Sequence, residues 1–186
     1  MIKLTSLRSN TFLTAIALSF LLLPFGAAQA KSASEIDATV DQALQDFKKD
    51  VKGAEDLLQG AKGVLVMAGV KKVGLGVGVQ WGEGALQVDN KTVDHYKMQV
   101  GSVGMQAGYQ DANFVFLFLT QKALDDFRAS GGWGAGVESG ITIVDASTRT
   151  LSLDTLKAKS SVVGFAFGKQ GLLAGWSAKG TKFTKI

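Results

Sequence analysis

Between Val73 and Gly84 the chain reads Val-Gly-Leu-Gly-Val-Gly-Val-Gln-Trp-Gly-Glu-Gly, bulky at every odd position up to Trp81 and mostly glycine at the even ones. Strand side chains alternate between two faces. The spacing therefore predicts a strand with Val73, Leu75, Val77, Val79 and Trp81 on one face and Gly74, Gly76, Gly78, Gly82 and Gly84 on the other. Glycine inside a strand costs roughly 0.5–1 kcal/mol, so such a run needs a structural return. Either some body approaches the bare face closely or the strand bends sharply there. Three bodies fit: a packed helix, a facing strand of a tightly curved barrel, or a ligand.

A helix is available upstream. Ile36, Val40, Ala43, Leu44, Phe47, Val51, Ala54, Leu58 and Ala61 recur at the 3.6-residue period, which predicts one long amphipathic helix over Ser34–Ala61, kinked at Gly53. Ser34 stands at the N-cap position, and Glu35 and Asp37 suit the positive end of the dipole. Its polar face is net acidic, unlike the basic face of a membrane-surface helix. This helix is the candidate cover for the glycine face.

Residues 1–30 are set apart from the fold. Lys3 and Arg8, an apolar run from Phe12 to Leu23 and the small-residue pattern Ala28-Gln29-Ala30 read as a secretory signal peptide cut after Ala30. The apolar run is short for a membrane span. A periplasmic or secreted location follows, and the chain contains no cysteine for disulfides or lipid attachment. The remainder, 31–186, is long enough for one domain with its own core.

From Gly63 onward the pattern has period two. Strands are expected at Val64–Ala68, Val73–Gln80, Gly84–Val88, Thr92–Met98, Gly101–Tyr109 and Phe114–Leu119, with turns at Asp89-Asn90-Lys91 and at 110–113. A short helix follows at Gln121–Ala129, capped by Thr120 and stopped by Gly131-Gly132. Further strands are expected at Gly136–Val144, Thr148–Leu153, Ser161–Phe167, Leu172–Ala178 and Lys182–Lys185. The expected fold is α+β: a curved, Gly-rich antiparallel sheet or barrel-like sandwich with a long N-terminal amphipathic helix and one short internal helix. Residues 31–62 form its helical region and 63–186 its mainly β region.

Catalytic chemistry is scarce. His95 is the single histidine, and with no cysteine the usual zinc sites and cysteine nucleophiles are excluded. No Gly-x-Ser-x-Gly elbow occurs. Gly74, Gly76 and Gly78 lie in a strand pattern that leads into no helix, so they do not form a phosphate-binding loop. No enzyme activity, metal, cofactor or nucleic-acid partner is expected.

Charge is unevenly placed. From Thr155 to the C-terminus there are six lysines and no acid, whereas Ser34–Lys62 carries seven acids against four lysines. The C-terminal lysines either form an anion-binding face or protect sheet edges. Lys71-Lys72 precede the glycine segment, and Trp81, Trp133 and Trp176 each adjoin glycine, as interface or core residues.

The order of several pieces resembles the SYLF family of lipid-binding domains. They are Ala61-Lys62-Gly63-Val64-Leu65-Val66, Lys72–Gly78, Gly82–Leu86, Gly104-Met105-Gln106-Ala107-Gly108 before the apolar Val115–Leu119, Ala123–Ser130 running into Gly132-Trp133, and Phe165–Ala174. Family members often carry a proline after the first strand, where this chain has Met67-Ala68. The resemblance implies a non-enzymatic domain that binds anionic lipid headgroups, phosphoinositides in eukaryotic members. The actin binding of yeast relatives is not carried over to an exported chain. The expected partner is an anionic phospholipid, membrane surface or other polyanionic envelope component. The expected binding residues are Lys71, Lys72, Lys169, Lys179, Lys182 and Lys185. A structural or protein-interaction module of the envelope is the alternative, and an outer-membrane β-barrel a weaker one, because several expected strands are too short to span.

Overall fold

Ser32, rather than Ser34, caps the first helix, α1 (Ala33–Asp50). Its hydroxyl accepts from the Glu35 backbone N–H at 3.3 Å, and Glu35 Oε2 accepts from the Ser32 N–H at 2.8 Å, a reciprocal capping box. The Ser32 backbone donor, and after it the hydroxyl, hold the Glu35 carboxyl below the usual carboxylate range. The computed structural model describes residues 31–75, 77–103, 108–130, 132–135, 141–144, 152–168, 171–172 and 181–186. The expected signal peptide lies outside them.

The helix does not continue to Ala61. Val51 is extended and Gly53 has φ +82°, a left-handed conformation foreign to an α-helix, so the chain restarts as α2 (Ala54–Gly60). The apolar stripe keeps its phase across the break: Ile36, Val40, Ala43, Phe47, Val51, Ala54 and Leu57 are all buried in one cluster.

The strands are β1 (Gly63–Leu75), β2 (Val77–Val88), β3 (Lys91–Val103), β4 (Gly108–Phe118), β5 (Gly132–Ala135), β6 (Ile141–Val144), β7 (Val162–Gly168), β8 (Gly171–Leu172) and β9 (Thr181–Lys185). Among the described residues they form one sheet in the order β5-β9-β3-β2-β1-β4-β7-β6, with β8 also on β7. All pairs are antiparallel except β6 with β7. The fold is α+β, as the sequence implies. Asp89 and Asn90 both have positive φ (50° and 59°), the backbone of a tight hairpin turn between β2 and β3.

Several local expectations change. The expected turn at 110–113 lies within β4, and the expected strand Gly101–Tyr109 is divided between the end of β3 and the start of β4. Val73–Gln80 is not one strand: it is divided between β1 and β2, which pair antiparallel with Leu75 opposite Val77 and Val73 opposite Val79. Odd positions face odd positions across the pair, so the alternation in the sequence survives the reversal. The expected strand Thr148–Leu153 gives way to α4 (Leu153–Lys159), capped by the Ser152 hydroxyl on the Thr155 N–H; residues 148–151 lie outside the described ones. A strand also forms at Gly132–Ala135, ahead of the expected Gly136 start.

Over much of its area the sheet is buried on both sides. Its outer face carries α1 and α2 over Val66, Ala68, Ala85, Val115, Leu117, Phe165 and Phe167, with the Phe47 ring centroid 5.1 Å from that of Phe165 and 5.7 Å from that of Phe167. Its inner face carries Leu65, Met67, Val70, Leu86, Met98, Phe114, Phe116, Phe118 and Phe183, and α3 (Gln121–Ala129) adds Leu124 and Phe127. The glycines of β2 belong to the inner face. A Cβ on Gly84 would strike the Val66 carbonyl oxygen and lie 2.8 Å from Met67 Cα; one on Gly82 would lie 2.5 Å from Val70 Cγ2. The body crowding the bare face at Gly82 and Gly84 is therefore the neighbouring strand β1. Helix α1 lies on the opposite side, over Ala85.

Gly84→Ala is expected to lower unfolding stability by about 2–3 kcal/mol, because the obstacle is backbone. Gly53→Ala meets open space and carries only the left-handed penalty, about 1 kcal/mol. Urea unfolding of the two variants checks this; equal losses would contradict the crowding argument.

Candidate functional site

The site begins at a kink in β1. Gly69 has φ +60°, and its N–H donates to Asn113 Oδ1 on β4 at 2.8 Å. The β1 register shifts here against both neighbours, between Ala68 and Lys71 toward β2 and between Met67 and Val70 toward β4. This is a β-bulge, which inserts an extra residue and exchanges faces beyond it. Val70 accordingly enters the inner core, while Lys71 shares the outer face with Trp81.

Beyond the bulge one row of register partners crosses five strands: Asp111, Lys71, Trp81, Gln99 and Lys182, on β4, β1, β2, β3 and β9. Adjacent strands are roughly 4.8 Å apart, so Lys71 and Lys182 bracket Trp81 and Gln99 over about 14 Å. A neighbouring row pairs Glu83 with Lys97. Trp81 is 41% exposed and Val79 56%. Together with Gln80, Lys97, Gln99 and Val100 they line a shallow recess of about 340 Å³. Lys71, Lys97 and Lys182 are exposed and form no ion pair among the described residues. Asp111 and Glu83 stand beside them, so the surface is a mixed one in which cations flank an aromatic.

The six lysines singled out in the sequence do not converge. Lys71 and Lys182 share the row. Lys72 pairs with Gln80 at the opposite parity and is half-buried. Lys185 Nζ lies 2.5 Å from Asp94 Oδ1, and Arg128 Nε lies 3.4 Å from Asp94 Oδ2. That nearly buried carboxylate ties β9 and α3 to β3. Lys169 and Lys179 lie outside the described residues, as does Trp176. Sequence reasoning missed Lys97 and Val79 as site residues. Their parity with Trp81 was available, but the pairing of Lys97 with Glu83, two positions from Trp81, needs the register.

His95 serves the fold. Its Nε2 lies 2.9 Å from Asp37 Oδ1, which also accepts from Thr92 Oγ1 at 3.1 Å. The carboxylate sits between the other two groups, so the hydroxyl addresses Asp37 instead of the imidazole. A nucleophile–base relay requires the reverse order. The contact fastens α1 to β3. A second recess, of about 410 Å³, lies between the helices and the β2–β3 turn; its rim mixes Lys48, Glu55 and Asp89 without convergent chemistry.

The family described as Ysc84, Las17-binding protein actin regulator, matches residues 99–185. The segment is thus similar to the Ysc84, or SYLF, family that the sequence pieces resemble. It runs from Gln99 on β3 through β4, α3 and β7 to Lys185 on β9, and SYLF domains are binding domains. The pieces of resemblance before Gln99, including the glycine segment, fall outside the match. Curated proteins give no match to the chain.

Tyr96 provides a check on the inner core beside this site. Its hydroxyl is buried with no hydrogen-bond partner among the described residues. Burial, and after it the Asp94 charge, push the phenol above its ordinary value of 10.0. The unfolded chain therefore releases this proton first, and stability falls as pH rises above about 10. Tyr96→Phe is expected to hold or raise stability near pH 8, within about 1 kcal/mol, because an unsatisfied polar atom is removed. It should also flatten the alkaline loss. Urea midpoints measured from neutral to alkaline pH test both; an undiminished alkaline slope would contradict the assignment.

Proposed function

We propose that this chain is an exported, non-enzymatic SYLF domain that binds anionic lipid headgroups in the cell envelope through the outer-face row of Lys71, Trp81, Gln99 and Lys182. The observation that supports it most is the pair of unpaired lysines flanking an exposed tryptophan on one rigid row. A lysine near an anionic surface contributes about 1 kcal/mol, and tryptophan favours the boundary between apolar and wet surroundings. Lys97 adds a third cation, and residues 31–186 keep a small positive balance, 18 Lys+Arg against 16 Asp+Glu once Lys3 and Arg8 are set aside. Lys169 and Lys179 extend the acid-free stretch that ends in Lys182 and Lys185. The signal-peptide pattern of residues 1–30 supports the periplasmic or secreted location.

Flotation with phosphatidylglycerol-containing and pure phosphatidylcholine vesicles tests the reading. Binding should require the anionic lipid and weaken as salt screens it. Lys71→Gln combined with Lys182→Gln should lower affinity roughly thirtyfold, two lysines at about 1 kcal/mol each. Lys72→Gln, at the opposite parity, should have a much smaller effect. Equal binding to neutral vesicles, or an unaffected double variant, would overturn the proposal.

A further inference from the structure

The second recess, of about 410 Å³, lies well away from the lysine row. Gln87 on its wall is six residues along β2 from Trp81, roughly 20 Å. A hollow of this size falls within the range of small-molecule sites, about 300–1,000 Å³. Its floor is apolar: Leu44 of α1, Leu58 of α2 and Val64 of β1 are each partly buried and packed on the outer core. The chain break at Gly53 puts the two leucines on separate helices that border one hollow. The rim carries both signs of charge. Lys48 stands one turn beyond Leu44 on α1, Glu55 one turn before Leu58 on α2, and Asp89 on the β2–β3 turn. All three are exposed and form no ion pair among the described residues. Three carboxamides complete the wall. Gln59 follows Leu58, Gln87 is the register partner of Val64, and Asn90 adjoins Asp89. They too make no side-chain hydrogen bond among the described residues.

We propose that this recess binds a short free peptide of dipeptide size with an aliphatic side chain, its ammonium end at Glu55 and Asp89 and its carboxylate end at Lys48. Charges that do not converge on one point cannot hold a single ion. They suit a ligand that carries opposite charges at separate ends. A carboxamide both donates and accepts, which is what the peptide group between those ends requires of Gln59, Gln87 and Asn90. The aliphatic floor receives the side chain. A free anion would find Lys48 alone, beside two repelling carboxylates, and a bilayer would meet a hollow with a charged rim. Strands, helices and a tight turn all contribute to the wall, so its groups are held by packed elements. The inference goes beyond the lipid-binding reading and is independent of it, because the recess and the lysine row share no residue.

Titration of the isotope-labelled protein with alanyl-leucine, followed by NMR, tests the site. The side-chain amide signals of Gln59, Gln87 and Asn90 should move and saturate, with a dissociation constant of about 1 mM for a ligand of this size. N-acetylation or C-amidation of the dipeptide, each removing one charge, should weaken binding about fivefold. Alanyl-glycine, which lacks the aliphatic side chain, should bind about tenfold more weakly. Lys48→Gln should weaken alanyl-leucine as much as C-amidation does, and should cost the C-amidated peptide nothing further. Glu55→Gln combined with Asp89→Asn should stand in the same relation to N-acetylation. All three side chains are exposed, so the urea midpoints of these variants should match that of the parent. Lys71→Gln combined with Lys182→Gln should leave peptide binding unchanged. Absence of a saturable shift at about 20 mM, shifts centred on Trp81 and Gln99 instead, or equal affinity for the blocked and free dipeptides would each overturn the site. None of those results bears on the lipid-binding reading, which stands or falls on flotation.

Discussion

The bulge at Gly69 sets which side of the sheet each distal residue of β1 occupies. A strand has only two faces, and one inserted residue exchanges them for everything that follows. Gly69 adopts the left-handed backbone that the insertion requires, and Asn113 on β4 satisfies the amide freed by it. An uninterrupted β1 would place Lys71 on the inner parity and Val70 on the outer. Both core and surface are decided by this contact, since Val70 fills the inner cluster and Lys71 joins Trp81. Gly82 and Gly84 complete the arrangement by letting β1 approach β2 where any side chain would collide.

The row is shared between the two halves of the chain. Gln99, Asp111 and Lys182 lie inside the segment that matches the SYLF family, while Lys71 and Trp81 come from the hairpin that precedes it. The hairpin lies between β3 and β4, so the matched segment supplies the last part of β3 on one side of it and β4 on the other. Asp94 strengthens that frame by holding Lys185 of β9 and Arg128 of α3 together. The surface is thereby fixed to rigid elements, which gives its side chains defined spacing and little freedom to collapse onto one another.

Periodicity made much of the fold legible. The stripe from Ile36 to Ala54 predicted the helical cover, alternation from Gly63 predicted the sheet, and Asp89-Asn90 predicted the turn between β2 and β3. The reversal between Leu75 and Val77 was hidden because glycine satisfies both a turn and one face of an alternating strand, so the sequence of a hairpin reads as a single strand. The bulge was hidden for another reason: its defining hydrogen bond joins residues 44 positions apart. Helix α4 is seven residues long with Leu156 its one fully buried position, too little to establish a 3.6-residue period. The lysines were visible as residues, but their faces depend on register. Lys71 and Lys72 are adjacent in sequence and stand on opposite sides of the sheet.

The near balance of charge on the outer face bears on how selective it can be. Lys71, Lys97 and Lys182 face a partial offset from Asp111 and Glu83, so at about 1 kcal/mol per lysine the attraction this face could offer a negative surface is small. Burying an exposed valine or tryptophan contributes about 1.5–3 kcal/mol each, and that contribution alone does not distinguish one lipid from another. Neither part suffices for stable attachment, the same arithmetic that makes a single acyl chain a marginal anchor until a basic patch accompanies it. On the proposed lipid-binding reading, a surface with both at strand spacing would respond only where negative charge and an apolar boundary coincide. On that reading it would discriminate against soluble anions, which lack the apolar part, and against neutral bilayers, which lack the charge.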